Sequence, residues 1–293
     1  MKSLDGKTIG FIGLGLMGRP MCLNLNKAGA RLIVHNRSRP VVDEMTAKGM
    51  TAAATSSAVA AAAKTVIVMV SDTPAAEAVI GGTDGILGAV GPDSLVIDMG
   101  TTAVSATRRL AAAVIGAGGQ FVDAPVSGGT VGAEAGTLTI MAGGSKEAVG
   151  RAAPLLKVLG ASLTHVGGVG DGQVAKAANQ VIVGLVIGAV AEALALARRA
   201  GADPAKVRQA LKGGFADSRI LELHGQRMVS GDFRPGGKAT TQRKDLAQAL
   251  DLARELGFDM PATRLNRELY DRLIADGFGD LDHSALIKVL DRE

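Results

Sequence analysis

The sequence predicts an α/β domain built on a parallel sheet, then an all-α domain, with one long helix joining them. Three observations carry this. Short apolar runs alternate with helix-like stretches through the first half of the chain, the pattern of successive β-α-β units. Glycine is dense there, and Gly13, Gly15 and Gly18 stand directly behind the first apolar run. Past residue 166 charged residues become denser and strand-like runs disappear, which places the division between residues 1–166 and 167–293.

In order, strands are expected at Thr8 to Ile12, Arg31 to His35, Thr65 to Val70, Ser94 to Asp98, Gln120 to Asp123, Thr137 to Ala142 and Ser162 to Val166. Arg19 to Ala28 and Ser105 to Ala117 read as helices between them. From Val174 to Ala200 one long helical pattern dominates, followed by amphipathic segments near Ala205 to Leu211, Lys244 to Leu256 and Leu265 to Ile274. Asp203-Pro204 starts one of these and Gly257 ends another. No repeat appears at periods of about 20 to 50 residues.

Composition narrows the function. Of 293 residues 47% are hydrophobic but only 2% aromatic, with no tryptophan and a single tyrosine, Tyr270, so no stacking surface for single-stranded nucleic acid is expected. The net charge of +4 comes without a Lys/Arg run, which argues against nucleic acid or membrane surface as partner. A single cysteine, Cys22, cannot form an internal disulfide and should pack as a small hydrophobe in the first helix. The N-terminus lacks the apolar core of a secretory signal, so a cytosolic protein is expected. The longest apolar stretch, Val181 to Ala191, falls short of the roughly 20 residues that span a bilayer and reads as a buried helix. His283 is one of four histidines, and no spacing suggests a metal site; no G-x-S-x-G elbow suggests a hydrolase.

The G-x-G-x-x-G of "GFIGLGLMGRP" follows a strand and opens a helix. There Gly13 allows the tight turn, Gly15 admits a pyrophosphate to the backbone, and Gly18 lets helix and strand pack closely. With Leu14 and Met17 in the same turn, the helix-start amides bind phosphate. The second strand ends in His35-Asn36-Arg37-Ser38 rather than in Asp or Glu. A guanidinium and a hydroxyl favour a ribose 2′-phosphate, hence NADP over NAD, with a solvated Arg37 as the plainer alternative.

Two more clusters look chemical. In "DAPVSGG", Ser127, Gly128 and Gly129 offer a hydroxyl and bare backbone donors for a carboxylate; an ordinary strand-to-helix turn would look the same. In "GDGQVAKAANQ", Lys176, Asn179 and Gln180 share a helix face. A lysine in an apolar helix is either a snorkelling surface group or a proton donor whose pKa desolvation lowers toward neutrality. Lys244-Asp245 is expected to open a later helix and offer a further cation, with Asp245 as its orienting carboxylate.

Together with "GAEAGTLTIMAGG" and "KDLAQAL", these motifs resemble, in order and spacing over nearly the whole chain, the β-hydroxyacid dehydrogenase family. The resemblance implies a Rossmann-type domain, a long interdomain helix, an all-α domain and a homodimer or homotetramer. It implies Lys176 as catalytic acid/base, Ser127, Gly128, Gly129 and Asn179 as substrate holders, and Met17, Val70, Ser71, Thr101 and Lys244 as further cofactor contacts. Where relatives often carry Leu-Pro this chain has Val70-Ser71-Asp72, and where Ser is common before Thr101 it has Gly100. The stretches "ANQVIVGLVIGAVAEALALA" and "GGFADSRIL" are most similar to the subgroup that reduces tartronate semialdehyde. That implies NAD(P)-dependent reduction of a short semialdehyde acid. The same family allows 3-hydroxyisobutyrate, succinic semialdehyde, glyoxylate or sulfolactaldehyde as substrate, and a catalytically inactive NADP-binding sensor or scaffold is the reading of another class. Arg219 beside the substrate loop would suit a more anionic substrate or be merely exposed.

Overall fold

The computed structural model describes residues 3–291. The chain divides into two compact units, Met1–Lys176 and Ala177–Glu293.

The apolar runs of the first unit become β1 (Thr8–Ile12), β2 (Arg31–His35), β3 (Thr51–Ala52), β4 (Thr65–Val68), β5 (Leu95–Asp98), β6 (Gln120–Asp123), β7 (Val126–Ser127), β8 (Leu138–Gly143) and β9 (Gly160–Gly167). They form one sheet in the order β3-β2-β1-β4-β5-β6-β8-β7, with β9 beside β8. The first six strands pair in parallel, Ile9 lying opposite both Leu32 and Thr65. Because side chains alternate across a strand, Ile67 joins one apolar cluster with Phe11 and Ile97, while Val66 and Val68 join another with Ile12 and Val96 on the opposite face. The parallel order does not extend to the far edge: β8 runs antiparallel to β6 and β7. The reversal comes after β7, where the chain passes through a short helix (Gly129–Ala135) before entering β8, and the expectation of a parallel sheet did not include it. The strand expected to reach Val70 ends at Val68.

Helices α1 (Gly18–Lys27), α2 (Arg39–Thr46), α3 (Ser56–Ala62), α4 (Thr73–Gly81), α5 (Val104–Gly116), α6 (Gly129–Ala135) and α7 (Lys146–Leu159) connect the strands. Cys22 is fully buried in α1 with its Sγ 3.6 Å from the Met50 Sδ, and burial pushes its thiol up to about 12.

Helix α8 (Asp171–Arg199) leads from the first unit into the second, where α9 (Pro204–Ala210), α10 (Arg219–Ser230), α11 (Ala239–Glu255), α12 (Pro261–Leu273) and α13 (Ile287–Leu290) follow. By length and composition α8 could cross a membrane, yet half of its apolar window is buried within the protein. Ile187, Val190, Ala191 and Leu194 pack with Leu246, Tyr270 and Leu286 in the core of the helical unit. A Cβ on Gly188 would meet the Asn266 Nδ2 at 2.5 Å, so the glycine sets how closely α12 approaches. Asp203 caps α9 by accepting from the Ala205 amide, and Gly257, at φ +67, turns the chain out of α11. Contrary to the expectation that Lys244-Asp245 opens its helix, α11 begins at Ala239, so Lys244 stands in the second turn and Asp245 faces inward.

The fold also gathers His224, Asp282 and His283, whose ligand-type atoms lie within 4.8 Å of one another. Linear spacing gave no sign of this, since His224 comes from α10. The Asp282 carboxylate accepts from the Gly236, Gly237 and Ser284 amides and the Ser284 hydroxyl, and pairs with Arg227 at 3.2 Å. It is a saturated anchor for the C-terminal segment. Burial opposes its ionisation, but His224, His283, Ser284 and the Gly236 amide together hold it well below the carboxylate range. A carboxyl depressed in the folded state stabilises fully at neutral pH; the contribution begins to decline below about 4, where the unfolded chain takes up the proton, and is lost only at the much lower pH where the folded carboxyl itself titrates. Asp282→Ala should therefore cost roughly 3 kcal/mol at pH 7 and only about 1 kcal/mol less near pH 3, as read by urea unfolding at the two pH values.

Candidate active site

β1 delivers the chain to Gly13, whose φ of +97 lies in the left-handed region. A side chain there would strike the Met69 carbonyl, and one on Gly18 would strike the Gly13 carbonyl. Both are glycines because the turn is closed. Gly15 differs: nothing lies within 4 Å of where its Cβ would point, so the fold itself does not demand its bareness. A ligand laid against the backbone would need it. Met17, at the start of α1, supplies no side-chain cap; of the helical amides that follow, Arg19 donates to the Gly15 carbonyl and Pro20 has none, so an anion here would rest on the glycine turn and the very first amide of the helix. These residues fit a dinucleotide pyrophosphate.

The adjacent strand ends complete this cluster. Asn36 accepts from the Leu14 amide at 2.9 Å and thereby pins the glycine turn to the end of β2. Arg37 and Ser38 are exposed beside it, Arg37 making no ion pair among the described residues and Ser38 not using its hydroxyl as a cap for α2. A guanidinium and a hydroxyl thus stand exposed in sequence at the start of α2, donors of the kind that would suit a ribose 2′-phosphate. Val70 and Ser71 follow β4, with Ser71 donating to Asp72, which caps α4. The small residue at 100 also has a local reason: a Cβ there would come within 2.9 Å of the Val70 carbonyl oxygen. Thr101 lies in the loop after β5.

Two buried aspartates that the motifs did not single out hold this edge together. Asp98, at the end of β5, accepts from the Gly100 amide and the Thr102 hydroxyl. Asp123, its register partner on β6, accepts from the amides of Gly170 and Gln173 at 2.8 and 2.9 Å. Asp123 is thus a cap for α8 supplied from a remote strand. Burial pushes its carboxyl up, opposed by those amide bonds. Gln173 then bridges back, its side chain joining the Thr102 amide and the Gly100 carbonyl. One turn further along α8 lies Lys176, 7% exposed. The sequence signal for the aspartates was their place as the last residues of apolar strands.

Ser127 closes β7, Gly128 then takes φ of +133, and Gly129, at φ +60, opens α6. In the helical unit, Asn179 donates to the Gln180 side chain, whose amide nitrogen donates to Asp245 at 2.5 Å; Lys244 pairs with the other Asp245 oxygen at 3.1 Å. Asn179 and Lys244, 65 positions apart, thus belong to one network centred on the buried Asp245. Arg219 begins α10, exposed and paired with Glu222.

Residues 8–167 match the NAD binding domain of 6-phosphogluconate dehydrogenase, and residues 170–290 match the NAD-binding domain of NADP-dependent 3-hydroxyisobutyrate dehydrogenase. The chain is 47% identical to the 2-hydroxy-3-oxopropionate reductase of Escherichia coli K12, over 97% of both chains.

The chain belongs to the β-hydroxyacid dehydrogenase family.

Among solved structures, this dehydrogenase resembles the 3-hydroxyisobutyrate dehydrogenase of Mycobacterium tuberculosis with L-serine, at 31% identity and TM-score 0.89 over 98% of this chain and 99% of that one. It also resembles Psf3 in complex with NADP+ and 2-OPP, at 27% identity and TM-score 0.87 over 96% and 99%. The Rossmann-type fold with a helical C-terminal region, a nicotinamide dinucleotide cofactor and hydroxy-acid oxidoreductase chemistry follow for this β-hydroxyacid dehydrogenase.

The contrast among its glycines gives a separable test. Gly15→Val should leave the thermal midpoint within about 2 °C of the parent, since a buried clash is absent, while weakening NADPH binding at least about tenfold, measured by fluorescence titration. A variant that binds normally shows that the pyrophosphate does not cross Gly15.

Proposed function

We propose that this dehydrogenase reduces a short semialdehyde acid of the tartronate semialdehyde type to the corresponding hydroxy acid, with NADPH preferred over NADH. Its 47% identity to 2-hydroxy-3-oxopropionate reductase over nearly the full length supports the substrate class. The exposed Arg37-Ser38 pair at the end of β2 supports the cofactor preference. The observation that carries the mechanism is Lys176: a buried amine at the start of a helix whose position is fixed by Asp123.

When bound, the reduced nicotinamide supplies the hydride. The chain's own residues do the rest. The Ser127 hydroxyl and the Gly128 and Gly129 amides hold the substrate carboxylate, Asn179 holds the carbonyl oxygen, and Lys176 gives a proton to that oxygen as the aldehyde carbon is reduced. In the reverse direction Lys176 takes the proton from the alcohol. Holding the substrate and donating the proton share the rate acceleration. Gly13, Leu14, Gly15, Met17 and Gly18 seat the pyrophosphate, Asn36 fixes that turn, and Val70, Ser71, Thr101 and Lys244 line the remainder of the cofactor. The reading divides the chain functionally at 166/167, takes the working form as a homodimer or homotetramer, and places the enzyme in the cytosol.

Lys176→Ala should lower kcat by about two to four orders of magnitude with NADPH affinity within about twofold of the parent; near-normal turnover removes the lysine from the mechanism. Arg37→Asp should shift the ratio of kcat/KM for NADPH over NADH by at least tenfold toward NADH, as loss of one charged hydrogen bond of about 1.5–3 kcal/mol requires. A steady-state screen of C2 to C4 semialdehyde acids with both cofactors tests the substrate class, tartronate semialdehyde being expected to give the highest kcat/KM.

A further inference from the structure

The end of α11 makes a cleft for which the hydride-transfer reading has no use. Gly257 donates to the Arg254 carbonyl at 3.1 Å and Phe258 to the Ala253 carbonyl at 2.8 Å, the paired bonds of a glycine helix stop. In such a stop the residue after the glycine commonly lays an apolar side chain back on its own helix. Phe258 does not, and stays 64% exposed. With Leu250 and Met260 it lines a cleft of about 390 Å³, whose other walls include Arg254, Arg264 and Arg267. That volume lies within the range of small-molecule sites, roughly 300–1,000 Å³.

The cationic wall carries one charge more than its acids answer. Asp251 pairs with Arg254 at 2.8 Å and Asp259 with Arg264 at 3.2 Å. Arg267 has no such partner: its nearest carboxylates among the described residues, Asp271 and Glu268, stand at 3.6 and 3.9 Å. Asp271 already accepts from Arg243 at 2.7 Å. The Arg267 Nε is buried and without a hydrogen-bond partner, a cost that an incoming acceptor removes. At the same end of the cleft α12 begins with no side-chain cap at Met260 and no acid in its first turn, which adds partial positive charge.

We propose that this cleft binds a small organic monoanion, a carboxylate on an apolar body, with the carboxylate on Arg267 and the body against Phe258, Leu250 and Met260. One anionic group is what the walls leave unbalanced, and a guanidinium donates to a carboxylate through two parallel bonds. An apolar body is what the bare Phe258 ring and its neighbours would cover. An inorganic anion answers only the charge, and a neutral apolar molecule only the surface. The site is additional to those for dinucleotide and hydroxy acid, and it stands whichever semialdehyde the enzyme reduces. Arg254 lies ten residues beyond Lys244 on α11, about 15 Å along the axis at 1.5 Å per residue, so the two ends of one helix serve different ligands.

Calorimetric titration of the full-length protein, saturated with NADP+, with acetate, butyrate and hexanoate reads the site directly. Hexanoate should bind once per chain and at least about tenfold more tightly than acetate, since each buried methylene contributes about three- to fourfold. Arg267→Ala should weaken hexanoate at least about tenfold, as loss of a charged hydrogen bond requires. Circular dichroism identifies a variant that has not folded. For that case Phe258→Ser, at an exposed ring, should keep the parent's thermal midpoint and weaken hexanoate about threefold or more. Ser127→Ala should leave hexanoate binding unchanged; loss of binding in that variant assigns the carboxylate to the substrate turn and overturns the cleft as its site. No heat with hexanoate, an affinity no greater than that of acetate, or binding that neither Arg267→Ala nor Phe258→Ser alters overturns it as well. A fall in mass by light scattering in Phe258→Ser assigns the exposed ring to contact between copies and likewise overturns the proposal.

Discussion

A carboxylate on one strand fixes where the long helix begins. Asp123 accepts from the amides of Gly170 and Gln173, which an isolated helix would leave to water or to a neighbouring serine. A helix is rigid, so whatever sits a turn beyond its anchored end inherits that position. Lys176 is there. The Gln173 side chain ties the same turn to the loop after β5, and Asp98 braces that loop from below. The amine assigned to proton transfer and the loop that carries Thr101 are therefore set by one hydrogen-bonded unit with two buried acids at its base. Buried carboxylates are costly unless every lone pair is used, and here the cost is offset by backbone donors that have no other partner.

The sequence displayed the parallel part of the sheet clearly, because strands buried on both faces must be continuously apolar and Thr8 to Ile12 or Leu95 to Asp98 can hardly be read otherwise. The antiparallel return was hidden for a physical reason. β7 is two residues long, too short for any periodicity, and β8 is reached only through α6, so its direction is set by that connection rather than by its side chains. Helices such as α3 and α4 were equally obscure: alanine-rich and seven and nine residues long, they owe their stability to packing on the sheet rather than to a strong amphipathic pattern. The start of α11 was missed because its first turn, Ala239 to Gln242, carries no capping side chain to announce it.

Site residues divide along the same line. Gly13, Gly15 and Gly18 were legible because their spacing encodes a local backbone shape. Asp123 was not assigned its anchoring role, since it acts on Gly170 and Gln173 far along the chain; Asp98 bonds locally to Gly100 and Thr102 but carries no motif to mark it; and Asp245 was read as orienting Lys244 but not as the partner of the distant Gln180. The Asp245 network that joins Asn179 to Lys244 crosses between two helices, and no window of sequence contains both. Likewise, the gathering of two imidazoles around Asp282 depends on α10 passing the C-terminal segment, which only the tertiary fold decides.

The lone thiol in α1 has a further consequence. Fully buried, with ionisation deferred to about 12, Cys22 presents neither the anion nor the access that oxidants and alkylating reagents require. Labelling can proceed only through opening of the helix that follows the glycine turn. The molecule thereby carries its own gauge of breathing at the nucleotide-binding edge, and any ligand that tightens this edge would be seen as slower modification of a single sulfur atom.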